Sequence, residues 1–187
     1  MSTSRTVRAA LVALVLVACA CAGDADGDDA LTSTTTSAPT DVAATLPPTV
    51  EAGRGAIVLD GELGILEVSA CSFDRVTDPA TGVTTELTAT AHDPTGRIVD
   101  VVRSSFDADV PTVTDTITVS DAEGTVEASR AETNGRQIDL RIENPVGSLL
   151  EVDGDVIRAE GVFGPVGGRP GDPANVDGEL LLRCPSA

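Results

Sequence analysis

From Ala56 onward, large aliphatic residues recur at every second position more often than at every third or fourth, and a period of two predicts strands instead of helices. The candidate strands are Ala56–Leu59, Ile65–Cys71, Thr84–Ala91, Ile98–Arg103, Val113–Ser120, Thr125–Ala128, Gln137–Glu143, Val156–Phe163 and Glu179–Cys184. In the seventh, Ile138, Leu140 and Ile142 alternate with Asp139, Arg141 and Glu143, which assigns the aliphatic face to a core and the charged face to water. Turn sequences separate the runs: Asp93-Pro94-Thr95-Gly96, Asp121-Ala122-Glu123-Gly124 and Thr133-Asn134-Gly135-Arg136. Asn-Gly is the strongest of them, because a type I′ hairpin needs positive φ at both central residues. Many short strands at this spacing predict an all-β domain, a single small antiparallel sandwich or barrel.

One pattern occurs three times: Leu59-Asp60-Gly61-Glu62-Leu63, Val152-Asp153-Gly154-Asp155-Val156 and Val176-Asp177-Gly178-Glu179-Leu180. Asp-Gly between aliphatic runs is a hairpin signal, with glycine taking positive φ and aspartate bonding the nearby backbone. The competing reading gathers these acids into a calcium site, which needs six or more converging oxygens. We take them as turns.

Ahead of the domain the pattern changes. Arg5 and Arg8 precede an uninterrupted apolar run, Ala9 to Ala22, of 14 residues. A membrane-spanning helix takes about 20, so the run reads as an export leader. It closes in Leu16-Val17-Ala18-Cys19, which resembles a bacterial lipobox: a small residue before a cysteine that receives a diacylglyceryl group and becomes the new N-terminus. Residues 1–18 are then the leader and Cys19 the lipidation site. Cys21 is a poorer acceptor, since Ala18 stands where a large aliphatic is wanted. Two acyl chains give stable membrane attachment where one is marginal, at about 0.8 kcal/mol per buried methylene. Lipid must hold the protein alone, because Asp24, Asp26, Asp28 and Asp29 follow and are repelled by anionic headgroups. This places the protein on the extracytoplasmic face of the cell membrane.

Residues 19–54 are rich in Thr, Ser, Ala, Pro and Asp and poor in large apolar side chains. Such a segment buries too little to offset its ordering entropy and reads as a disordered tether, on the order of 30 Å as a coil. Its Thr and Ser beside Pro fit O-glycosylation or a bare spacer equally. Asp24-Ala25-Asp26-Gly27-Asp28 opens like a calcium loop but meets Thr35 at the twelfth position, where a bidentate Glu belongs.

The folded part, residues 55–187, carries 24 acids against 9 arginines, and the whole chain has a formal net charge of −18. Nucleic acid is thereby disfavoured as a partner. The chain has no Lys, Trp or Tyr and only Phe73, Phe106 and Phe163, so aromatic platforms for bases, sugars or quaternary amines are missing.

Cys71 and Cys184 each end an apolar run inside the domain. In an exported protein the expectation is a disulfide, and a metal pair is the weaker alternative because neither has a Cys or His at ligand spacing. Closing that loop stabilises by about 4–5 kcal/mol on the chain-entropy model.

Leu59-Asp60-Gly61 followed by Cys71, the late stretch Ile157-Arg158-Ala159-Glu160-Gly161, and a last strand closing at Cys184-Pro185-Ser186 resemble the mycobacterial lipoprotein antigen family. The likeness covers the layout and both ends of the domain, not Val83 to Glu151. It implies a surface-exposed, often glycosylated envelope antigen without enzymatic activity, recognised by host receptors through its acyl chains. The longer domain and stronger negative charge depart from that family.

Catalytic signals are weak, and we expect no enzyme and no cofactor. His92 is the single histidine and sits beside the turn Asp93–Gly96 with no nucleophile motif near it. No serine lies in Gly-x-Ser-x-Gly. Gly161 to Gly171 lacks the Gly-Lys-Ser/Thr ending that cradles phosphate, and reads as a long mobile loop between the last two strands. Two functions remain: a lipid-anchored envelope protein acting as antigen or interaction module towards a protein partner or host receptor, and a carrier of an apolar ligand. The carrier needs a cavity of several hundred Å³; a closed core favours the interaction module.

Overall fold

The structure, a computed structural model, describes residues 44–107 and 109–186. Cys19, Cys21 and the leader lie outside the described residues. The described chain is all-β, with eleven strands and no helix: β1 (Arg54–Leu59), β2 (Glu62–Ser72), β3 (Val76–Thr77), β4 (Val83–His92), β5 (Ile98–Phe106), β6 (Thr112–Ser120), β7 (Thr125–Thr133), β8 (Arg136–Asp139), β9 (Leu150–Asp153), β10 (Val156–Pro165) and β11 (Val176–Arg183). Eight of them close an antiparallel barrel in the order β1-β2-β4-β5-β6-β7-β10-β11 and back to β1, so the barrel strands follow one another in chain order and the last meets the first. Closure removes the unpaired edges that a flat sheet of this length would expose.

Alternation fills the barrel. Ile57, Leu66, Leu87, Val99, Ile117, Ile157, Leu180 and Leu182 all point inward and are fully buried. An eight-stranded barrel has an interior just wide enough for side chains, and here Ile, Leu, Val and Ala fill it almost without aromatics. The lower end holds the turns Asp60-Gly61, Asp93–Gly96 and Asp121–Gly124; the upper end holds β3, β8, β9 and the disulfide. Asp60 and Gly61 (φ 52° and 76°) and Asn134 and Gly135 (φ 53° and 70°) both take the left-handed pairs expected of type I′ turns. Cys71 at the end of β2 and Cys184 after β11 form a disulfide across the top of β1, with Cα atoms 5.7 Å apart.

Ala56, Val58 and Leu181 face outward and are nonetheless buried. Residues 44–53 explain this, because they run as a strap along that face. Ala44 N–H donates to the Gly61 carbonyl at 3.4 Å, Arg158 Nη2 to the Pro48 carbonyl at 3.0 Å, and Gly53 N–H to the Arg183 carbonyl at 2.9 Å. The tether expected through Arg54 therefore gives way to placed chain by Ala44; Leu46, Pro47 and Val50 are half-buried and contribute the apolar contact that composition concealed.

Three other expectations change. Asp177-Gly178 is no turn but part of β11, where a Cβ on Gly178 would lie 2.6 Å from two ring carbons of Phe163. The glycine is there to admit the ring. β10 continues through Pro165, so the glycine-rich loop spans only 166–175, and it is internally bonded: Asp172 N–H reaches the Arg169 carbonyl at 3.2 Å and Asn175 N–H the Asp172 carbonyl at 3.0 Å. The strand expected over Gln137–Glu143 ends at Asp139 and is inverted: Ile138 and Leu140 are about half exposed, while Asp139 and Arg141 are buried. The turn expected at Asp153-Gly154 joins β9 to β10, with Gly154 at φ 60°, whereas neither β9 nor β3 was among the expected strands.

Candidate functional site

The barrel is closed least securely between β7 and β10. These strands pair only at Gly164 with Glu127 and Pro165 with Val126. Above that point β7 turns back at Asn134-Gly135 and pairs with β8, while β10 pairs with β9. Segment 140–149 bridges the resulting seam, and Leu149 and Leu150 reach into the core.

Three arginines hold the seam and the upper end. Arg130 points into the barrel from β7; its Nη2 bonds Asp139 Oδ2 at 3.0 Å and its Nη1 the Gly147 carbonyl at 2.8 Å. Arg103 bonds both oxygens of Asp115, at 2.6 and 2.9 Å, and the Leu150 carbonyl at 3.0 Å. The hydrogen bonds to Asp115 raise the Arg103 pKa, outweighing burial. Arg141, its side chain fully buried, lies over the β7–β10 junction, with Nε on the Glu127 carbonyl at 2.9 Å and Nη2 on the Glu127 carboxylate at 3.3 Å. Gly168 is required beneath it, since a Cβ there would stand 2.7 Å from Arg141 Nη1. Each guanidinium satisfies backbone carbonyls left over where strand pairing stops.

Beside this seam a cleft of about 890 Å³ opens between segment 144–149, the outer face of β10 and β11, and Leu46 of the strap. Glu151, Glu160, Asp177 and Glu179 line it against Arg158 and Arg130. Glu160 stands directly opposite Glu179 in the β10–β11 register. Like charges facing across a ladder destabilise it. The lining contains no histidine or cysteine, and its single serine is Ser148.

The other residues marked by sequence do not converge here. His92 is exposed at the end of β4, opposite Glu67 and Ile98. Of the Asp-Gly acids only Asp177 and Glu179 reach the cleft, Asp60 lying in the lower turn and Asp153 at the end of β9, and no metal-holding group of three His, Cys, Asp or Glu exists among the described residues. Asp93 closes its own turn: Oδ1 accepts from Thr95 N–H, Thr95 Oγ1 and Arg97 N–H at 2.8, 2.6 and 3.0 Å. Burial pushes its pKa up, but those bonds outweigh it and hold the carboxylate below its ordinary value. Arg130 carried no sequence signal, Arg141 was expected on a water-facing side and Glu179 in a turn, because only register brings these residues and Glu160 to the seam. The chain matches no protein-family model, no curated protein and no solved structure.

Proposed function

We propose that this is a lipid-anchored protein of the cell envelope, held on the extracytoplasmic face through Cys19, whose barrel works as a non-enzymatic interaction module. The observation that carries the choice of module over carrier is the filled barrel. Its interior is occupied by Ile57, Leu66, Ile117, Ile157, Phe163, Leu180 and their neighbours, and the large cleft is outside, open and rimmed with acids. An apolar ligand would find no enclosed apolar chamber there. The disulfide accords with an oxidising compartment. The antigen-like layout of leader, Cys19, Thr/Ser-rich segment and two-cysteine domain supports the same reading.

Mass spectrometry of the chain purified from the membranes of an actinobacterial host tests both halves. The expected N-terminal peptide begins at Cys19 and carries a diacylglyceryl mass that Cys19→Ser abolishes, together with membrane retention. The native spectrum should show no non-covalent lipid. An unmodified Cys19 overturns the anchor, and a lipid-sized mass lost on denaturation restores the carrier.

A further inference from the structure

We infer that the cleft beside the β7–β10 seam is the docking site for an extended, cationic polypeptide segment of a partner protein. The inference rests on the interaction-module reading above and names the partner's chemistry. Two independent observations define that chemistry. First, Glu160 faces Glu179 directly across the β10–β11 ladder, and Glu151 and Asp177 line the same cleft. These four carboxylates outnumber Arg158 and Arg130, and Arg130 is already paired with Asp139, which leaves a net negative wall that costs stability until a cation enters. Second, Arg130 lines the cleft with a side chain only 6 % exposed, and its Nε has no hydrogen-bond partner. A buried donor left open calls for an acceptor.

The occupant must therefore bring positive charge and a carbonyl-type acceptor together. A bare metal ion brings no acceptor, and no three-ligand group awaits one among the described residues. A polyamine brings charge alone. The chain's own segment between Cys19 and Ala44 has five aspartates and no base, and a second copy carries the same net charge of −18, so both are repelled. An anionic membrane surface is repelled likewise. A strand-like peptide with Arg or Lys side chains supplies guanidinium or ammonium groups to the acids and main-chain carbonyls to Arg130. The exposed Val146 lines the cleft, with Leu46 and Ile142, to meet its apolar residues.

Fluorescence anisotropy with the full chain tests this, using an end-blocked labelled peptide of about eight alternating Arg and Val residues. The peptide should bind, and Glu160→Gln with Glu179→Gln should weaken it about tenfold. The remote pair Asp74→Asn with Asp100→Asn, on the β2–β3 connection and β5 and outside the cleft lining, should leave affinity unchanged, and spermine should displace the peptide poorly. The Glu160/Glu179 variant should unfold at equal or higher urea concentration, since it removes a like-charge pair. No binding, equal loss in the two double variants, or full displacement by spermine at matched charge would overturn the proposal. None of those results touches the lipid on Cys19 or the ligand-free native spectrum, so failure of the docking site is distinguishable from failure of the module reading.

Discussion

Asp139 meets Arg130 inside the barrel, Oδ2 to Nη2 at 3.0 Å, with both side chains more than nine-tenths buried. They come from β8 and β7, directly opposite in register. A charge pair thus occupies the face that alternation assigned to water, because β8 lies at a splayed seam where two strand ends and the Gly147 carbonyl must be satisfied. Asp139 also accepts from Arg141 N–H at 2.7 Å, fixing the chain as it leaves β8.

Breaking that pair from one side should be severe. Asp139→Ala leaves a buried guanidinium uncompensated and should cost about 3–5 kcal/mol, whereas Arg130→Met with Asp139→Leu should cost much less. Urea unfolding of the three chains checks this. A double variant as damaged as the single would show that the pair holds the seam by more than mutual neutralisation.

The fit of Gly178 to Phe163 is a second test. A methyl at Gly178 would meet the ring at 2.6 Å and Leu59 Cδ1 at 3.0 Å, and Phe163 is almost wholly buried. Gly178→Ala should destabilise by about 1–3 kcal/mol through overpacking. Adding Phe163→Leu should recover part of the loss, which a double-mutant cycle would read as a coupling between contacting residues.

The disulfide stitches β2 to the segment after β11 across 113 residues of sequence. Replacing Cys71 and Cys184 by Ser should lower the unfolding free energy by about 2–5 kcal/mol. In the native protein neither sulfur should react with iodoacetamide until a reductant is added, and reduction should add two hydrogens, one to each sulfur.

Acid should loosen the turns. Asp93 and Asp155 titrate below their ordinary value when folded, Asp93 through its turn bonds in spite of burial and Asp155 through its bond to Arg183 Nε at 2.8 Å. The unfolded chain then binds protons more readily. Their stabilisation is full above the unfolded aspartate pKa of about 3.9 and falls away as pH drops through the lower folded values. Asp93→Asn should cost about 1 kcal/mol at neutral pH and flatten the dependence of stability on pH below about 4. An unchanged slope in acid urea titrations would contradict the assignment.

The alternating pattern alone determined that the domain is all-β, and Asp60-Gly61 and Asn134-Gly135 announced two hairpins, because a period of two and a positive-φ pair are local properties of the chain. Cys71 and Cys184 were likewise legible as partners. What tertiary structure decided is every feature that depends on who stands opposite whom. Barrel closure came from β1 meeting β11 and from two residue pairs between β7 and β10. Gly178 read as a turn from its neighbours Asp177 and Glu179, yet a phenylalanine two strand positions beyond its cross-strand partner made it a strand residue. Ile138 and Leu140 point outward for a related reason: at the seam, unmet backbone carbonyls and charges compete for the interior, and Asp139 and Arg141 take it with their hydrogen bonds. The cleft, and the facing of Glu160 by Glu179 within it, exist only once strands some twenty residues apart are laid side by side, because register is a long-range choice that alternation along one strand does not encode.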